Sequence, residues 1–295
     1  MIMADLDVLQ LHNFGADSPR EFYCNTFQEH IRTFHKDITI PHKHNFYLTV
    51  LFTHGMGRHE IDFEEYPIYP GAIFMLNPGQ THHWELSEDA DGYIFFHSRD
   101  FYDSYFSQHS VNEFPFFSSL MNASGLKIPK ASSPLLWQLF GELYEKTRSK
   151  TNNAPSIARG IIQLIYLYLD QAYREQGMVS PSHPGGYSRH MQEFEKLIER
   201  NFISEKQVSQ YADWLNITPR HLNRVSQSAV GKSPISLITA RAMLEAKRML
   251  YYTDKPIGEI ATLLGFDDLA YFSRLFKKHC GISPRHFHQS FKRNN

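Results

Sequence analysis

The chain is poor in cysteine, in long apolar runs and in paired catalytic groups, and each shortage removes a class of protein. Cys24 and Cys280 are the only two cysteines in 295 residues. They stand one in each half and match no zinc-ligand spacing, so neither a disulfide framework nor a zinc finger is available. No apolar stretch approaches the ~20 residues that a membrane-spanning helix needs. The first residues, Met1-Ile-Met-Ala-Asp-Leu-Asp7, lack the basic segment and apolar core of a secretory signal. These absences lead to the expectation of a cytoplasmic protein. No acidic pair stands out, and no nucleophile lies beside a base, which argues against an enzyme. Net charge is also missing: 30 Lys and Arg nearly balance 31 Asp and Glu, leaving −1.

That near-zero charge conceals a split. Residues 187–295 hold 17 Lys and Arg against 10 Asp and Glu, a net of +7, and the remainder holds 13 against 21, a net of −8. A basic module inside a neutral chain has the electrostatic footprint expected for phosphate neutralisation. The length leaves room for two ordinary domains, each burying its own core.

What the basic region does contain is a repeat. Residues 218–234 and 268–284 both carry Arg-x6-Gly-x-Ser-Pro, as Arg224 to Gly231-Lys-Ser233-Pro234 and Arg274 to Gly281-Ile-Ser283-Pro284. The Gly ends a helix in the left-handed conformation, the Ser caps the next helix, and Pro opens it without needing a backbone donor. An apolar stripe precedes each Gly: Leu222, Val225 and Ala229, then Phe272, Leu275, Phe276 and His279. Opposite stand Arg220, Asn223, Arg224 and Gln227, then Tyr271, Arg274, Lys277 and Lys278. Before each copy comes a short amphipathic segment, Ser204 or Glu205 to Asp213 and Pro256 to Leu264, with turns at Trp214–Ile217 and Gly265–Asp267. A short helix, a tight turn and a second helix is the helix-turn-helix arrangement. Between the two units, Ser233 to Tyr252 predicts one helix striped by Ile235, Ile238, Met243, Ala246 and Leu250. It would span roughly 27–30 Å, close to the ~34 Å between successive major-groove faces of a duplex.

Residues 188–291 resemble the AraC-type DNA-binding domain, an all-α unit of seven helices with two helix-turn-helix motifs. The closest stretches are Glu245-Ala-Lys-Arg-Met-Leu250, Ile257-Gly-Glu-Ile-Ala261, Leu264-Gly-Phe266-Asp and Tyr271-Phe-Ser-Arg-Leu-Phe-Lys277-Lys-His-Cys-Gly281-Ile-Ser-Pro284. The first motif departs from the family at Ser226 and Gln227, where Phe and Lys are usual. The resemblance implies promoter DNA as partner, with Thr218, Arg220, His221, Asn223 and Arg224 contacting it from the first motif. Tyr271, Ser273, Arg274, Lys277 and Lys278 do so from the second. Arg and Asn suit bidentate contacts to guanine and adenine, and Lys suits phosphate.

The first hundred residues have a different rhythm. Phe46–Phe52, Gly57–Phe63 and Ala72–Leu76 are short β-rich runs separated by Gly and Pro, which suggests a sandwich or barrel. Pro41-His42-Lys-His44 before a strand, and Gly71-x5-Asn77-Pro78-Gly79-x2-His82, resemble the two cupin motifs over residues 30–97. In metal-binding cupins the two His of the first motif, a Glu four residues later and the His of the second surround one ion. Here His42, His44 and His82 are present, but the Glu position is Leu48. The cupin is therefore expected to be a sensor without metal or cofactor, binding a small molecule through His42, His44, Tyr47, His82, Trp84 and Tyr93. Trp84 and Tyr93 occupy positions that resemble ligand contacts in sugar-sensing relatives. The rival expectation is a metal-dependent, oxygenase-like cupin enzyme carrying a DNA-binding domain. A third is an architectural DNA binder with a vestigial barrel.

Pro134 to Thr147 and Ser156 to Gln176 are predicted helices, the second with Ile157, Ile161, Leu164, Ile165, Tyr168 and Ala172 on an apolar face that could form a dimer seam. The fold class expected is two-domain α+β. Residues 1–130 form a cupin-like effector-sensing β-barrel, 131–176 a helical dimerisation or packing segment, 177–187 a linker, and 188–295 the double helix-turn-helix domain. The partners implied are double-stranded promoter DNA, a small-molecule effector, a second copy of the chain and RNA polymerase, with no membrane.

Overall fold

The computed structural model describes residues 8–14, 21–34, 38–106, 110–117, 123–148, 153–178 and 189–292. Two compact units emerge, one spanning Asp7–Val179 and the other built on Ser180–Asn295. The expected linker, 177–187, lies outside the described residues from residue 179 onward, as do the first seven residues.

In the first unit the described residues form ten strands: β1 (Val8–Leu9), β2 (Phe22–Thr26), β3 (Lys43–His44), β4 (Tyr47–His54), β5 (Gly57–Ile61), β6 (Glu64–Ile68), β7 (Ala72–Leu76), β8 (His82–Leu86), β9 (Asp91–His97) and β10 (Gly125–Lys127). They pair as a five-stranded sheet in the order β10-β7-β4-β9-β2, a three-stranded sheet β6-β5-β8 and a small pair β1-β3. Among the described residues these pairings do not close one ring, so the expected barrel takes the form of sheets sharing a core. Strand β4 explains why it lies at the centre. It is apolar on both faces, as a strand covered from two sides must be. Leu48, Val50 and Phe52 enter a core shared with Ile61, Ile68 and Trp84 of the smaller sheet. Tyr47 and Leu51 point the other way and join Ile73, Met75 and Phe95.

That other face is covered by helices. After α1 (Phe27–Phe34) and α2 (Arg99–Asp103) come α3 (Pro134–Arg148) and α4 (Ala154–Glu175), close to their expected bounds. The phase of α4 differs from the expected one. Its buried residues are Ala158, Ile162, Ile165, Tyr166, Leu169 and Tyr173, whereas Ile157 and Leu164 are 40% and 46% exposed. Ile161, Tyr168 and Ala172 lie half-buried at the edge of this core. The reason is that the sheet supplies polar partners for tyrosine. His97 Nδ1 bonds the Ser98 carbonyl at 2.8 Å, so its Nε2 accepts from the Tyr166 hydroxyl at 2.6 Å. Tyr173 likewise donates to the Ala123 carbonyl at 3.0 Å. Satisfied hydroxyls let these rings be buried.

In the second unit the described residues form seven helices, as expected: α5 (Arg189–Asn201), α6 (Val208–Trp214), α7 (Pro219–Val230), α8 (Pro234–Tyr252), α9 (Ile257–Leu263), α10 (Leu269–Cys280) and α11 (Pro284–Lys292). The repeat acts as read. Gly231 and Gly281 end α7 and α10 at φ 66° and 78°, and Ser233 caps α8 through the Ser236 amide. Along α8, Ile238, Met243, Ala246 and Leu250 are buried, but Ile235 is exposed because it lies in the first turn, beyond the core. With 19 residues α8 is about 28 Å long.

Candidate nucleic-acid interface and effector site

Both helix-turn-helix turns are complete Schellman motifs. After α6, Ile217 N–H bonds the Ala212 carbonyl and Asn216 N–H that of Asp213, each at 3.0 Å; after α9, Phe266 bonds Ala261 and Gly265 bonds Thr262, each at 2.9 Å. Asn216 and Gly265 are the left-handed residues, at φ 54° and 73°. Counted from these turns the copies are offset by 49 residues, yet the caps Thr218 and Asp268 are offset by 50. The second turn therefore carries one extra residue.

The turns deliver α7 and α10 with one face buried and one open. Leu222 and Ser226 of α7, and Phe272 and Phe276 of α10, are buried. Val225, Ala229 and Leu275 are half-buried. His279, expected in the apolar stripe, is exposed; one turn beyond Phe276 the helix leaves the core. Open on α7 are Arg220, Asn223, Arg224 and Gln227, and on α10 Tyr271, Arg274, Lys277 and Lys278. The other three expected contact residues are less open or are bonded within the protein. Thr218 uses its hydroxyl as the cap of α7, accepting from His221 N–H at 3.2 Å. Ser273 is half-buried, and so is His221, whose Nδ1 receives Arg224 at 3.2 Å. Asp268 caps α10 by accepting from the amides of Ala270 and Tyr271, at 2.7 and 3.1 Å. The Tyr271 bond, then that of Ala270, lowers its carboxyl pKa.

A charged network joins local pairs along α8 to a distant residue of α5. Arg241 is 9% exposed and donates to both Glu199 oxygens at 2.8 and 3.0 Å and to Glu245 at 3.1 Å, while Arg248 also reaches Glu245 at 3.0 Å. Glu199 is on α5 and the others are on α8. Buried guanidinium groups are tolerated when their donors are met in this way.

In the first unit, the six expected effector residues fall on two sides of the large sheet. His42, His44, His82 and Trp84 gather between the sheets: the His82 ring centre lies 4.4 Å from that of His42, 5.0 Å from His44 and 4.6 Å from Trp84. Tyr47 and Tyr93 face the helices instead. Tyr47 donates to Asn112 at 2.6 Å, and the Tyr93 ring is 6.1 Å from Tyr144. Alternation along β4 and β9 sends them there, since Leu48, Ile94 and Phe96 occupy the inner positions.

Sequence reasoning missed His59. It is fully buried on β5, and its Nε2 is 2.9 Å from His82 Nδ1. The period-two pattern of Gly57-Arg-His59-Glu-Ile61, with Ile61 in the core, carried the signal. His44 Nδ1 bonds the Phe46 carbonyl at 3.0 Å, which makes its Nε2 a lone-pair acceptor in the neutral ring. That Nε2, together with His59 Nδ1, Asn77 Nδ2 and Thr81 Oγ1, is buried without a protein partner. Burial, and next the neighbouring His42, pulls His44 down to about 3. Burial likewise drives His59 well below the ordinary imidazole range. Among the described residues no three His, Cys, Asp or Glu side chains are arranged to hold a metal ion. His59 and His82 point nitrogens at each other, and Leu48, in the carboxylate position, packs into the apolar core. The donor set does not fit a metal centre.

Two family models match the chain, a helix-turn-helix domain over residues 211–290 and an AraC-like ligand-binding domain over residues 29–159. The arabinose operon regulatory protein of Escherichia coli is 24% identical over 245 residues, covering 82% of this chain and 80% of its own. The HTH-type transcriptional activator RhaS of Mannheimia succiniciproducens is 25% identical over 254 residues, covering 85% and 89%. Among solved structures, the C-terminal domain of AraT, a response regulator from Geobacillus stearothermophilus, is 33% identical over 35% of this chain and 87% of its own, with a TM-score of 0.34.

Proposed function

The chain belongs to the AraC-type transcriptional regulators, and from that premise we propose that it reads one promoter site with both recognition helices under control of a small polar effector. The observation that carries this reading is the doubled open face: Arg220, Asn223 and Arg224 on α7, and Tyr271, Arg274, Lys277 and Lys278 on α10, flank one 19-residue helix. Arg and Asn on such faces suit base edges, and the paired lysines suit phosphate. Mapping of bound promoters across the genome tests it. Discrete promoters sharing a two-part site are expected; diffuse occupancy without a shared site would favour an architectural binder.

For the effector, one relative is named for an arabinose operon, and the sensor core offers chemistry that suits a sugar. Hydroxyl groups on a ligand, which both donate and accept, would satisfy the bare nitrogens of His44 and His59, whose unmet burial costs about 1–3 kcal/mol each. Thermal shift against a panel of sugars should give a hit that His44→Ala abolishes. A hit retained by that variant would move the site elsewhere. We read this core as a sensor and not as an enzyme, because the relatives that the chain resembles are transcriptional regulators.

A second copy of the chain is the partner we assign to α4. Ile157, Leu164 and Leu167 are 40%, 46% and 48% exposed and recur at helical spacing. A side chain at Gly160, between them, would meet open space, so a second helix can approach closely. Asp at Leu164 and Leu167 should turn a sedimenting dimer into a monomer; a wild-type monomer at micromolar concentration would end this assignment. We also assign RNA polymerase as a partner, since one relative is named a transcriptional activator, and the cytoplasm as the place of action. No helix among the described residues is long and apolar enough to cross a membrane.

A further inference from the structure

The turn that follows α5 is held from two directions by charged groups. Lys206 donates to the carbonyls of Phe202 at 3.1 Å, Ile203 at 2.9 Å and Leu264 at 2.8 Å, which uses all three of its N–H groups. Its Nζ also lies 4.6 Å from the centre of the Phe266 ring. The first two carbonyls close α5; the third ends α9, at the entrance to the second helix-turn-helix turn. Contact there is tight: a Cβ on Gly265 would sit 2.0 Å from the Ile203 oxygen. From the other side, the Arg241 guanidinium of α8 stacks 4.1 Å from the centre of the Phe202 ring and is fixed by Glu199 and Glu245. Helix α5 itself packs on α7 and α8, and its Phe194 lies 5.6 Å, ring to ring, from Tyr211 of α6.

The first motif thus rides on α5, and the end of α5 is tied by Lys206 to the turn of the second motif. A single connecting helix leaves bending and twist between two reading heads; a second tie away from its axis removes that freedom. We propose that Lys206 is a positioning residue that fixes the separation and angle of α7 and α10, so that the protein accepts one spacing between its two half-sites. This rests on the reading that the two helices enter successive grooves. One inserted base pair moves the second half-site by about 3.4 Å and about 34°, more than a braced pair of helices can follow.

The test uses the full-length protein and its selected operator, with the half-site spacing changed by one base pair either way. Wild type should lose about tenfold or more in affinity on either change, of the order of one mismatched base pair. Lys206→Met, which keeps the stem and removes the three donors, should reduce that discrimination by about tenfold. Base preference within each half-site should stay as in wild type. Lys206→Arg should restore most of the discrimination. An affinity loss equal at all spacings, with discrimination intact, would show a merely structural residue and overturn the proposal. Should Lys206→Met not fold, Lys206→Gln decides between the two: reduced discrimination supports the brace, and wild-type discrimination overturns it. If wild type itself ignores spacing, the two-groove reading fails and the brace with it.

Discussion

In the first helix-turn-helix the left-handed turn residue is Asn216; in the second it is Gly265. The core position one turn before each terminal Gly is Ser226 in the first and Phe276 in the second. Ser226 is buried and spends its hydroxyl on the Lys232 carbonyl at 2.5 Å, while Phe276 packs 6.0 Å from Phe272 and 5.6 Å from Phe287, ring to ring. The caps differ as well, since Thr218 satisfies one amide and Asp268 two. The same backbone can thus be specified by local hydrogen bonds or by apolar packing. The second copy has the more permissive turn residue and the larger core group, so it should be the firmer of the two.

The largest expected effect is at the firm copy. Phe276→Ala should lower the stability of the DNA-binding unit by about 3–5 kcal/mol, the usual loss for a fully buried ring. Urea unfolding of the full chain would measure it, and a loss near 1 kcal/mol would erase the contrast with Ser226.

Next comes a contrast between units. The buried histidines among the described residues all belong to the sensor unit. Burial, and next its neighbour His42, holds His30 and His44 at about 3; burial alone dominates for His97, at about 4. Their folded values lie below the ordinary ~6.5, so added protons favour the unfolded chain. Stability is full above about pH 6.5 and falls as the pH drops toward the folded values. At pH 6 the three together should cost about 2–3 kcal/mol. Calorimetry at pH 7.5 and 6 should show the sensor transition shifting down, with the DNA-binding transition nearly fixed. An equal shift of both would contradict the assignment.

Smaller effects sharpen the first comparison. Ser226→Ala should cost about 1 kcal/mol, leaving the Lys232 carbonyl without its donor. Asn216→Gly should gain up to about 1 kcal/mol, because Gly adopts positive φ without penalty. A loss on Asn216→Gly would mean that the Asn side chain matters more than the turn's backbone.

How much of this was legible depended on the range of the interaction. Arg-x6-Gly-x-Ser-Pro marked the ends of α7, α8 and α10 because caps are local, and the apolar alternation of β4 and β7 is likewise local. The phase of α4 was missed because Tyr166 becomes a core residue only when His97, 69 residues away, accepts its hydrogen bond. Tyr47 and Tyr93 were grouped with the inner histidines because motif spacing does not state which face of a strand a residue takes. The Lys206–Leu264 and Arg241–Glu199 contacts span 58 and 42 residues and have no periodic signature at all.

The central claim is that one chain reads two grooves with two unequal copies of one motif. Selection of binding sites from random duplexes with wild type, Asn223→Ala and Arg274→Ala tests it most directly. Each variant should relax base preference in a different half of the site, the halves lying about 10 base pairs apart, and each by about 1–3 kcal/mol. Lys277→Ala, at a proposed phosphate contact, should weaken all sequences alike and flatten the salt dependence. If Asn223→Ala and Arg274→Ala changed preference at the same positions, or neither changed any, the two-groove account would be contradicted.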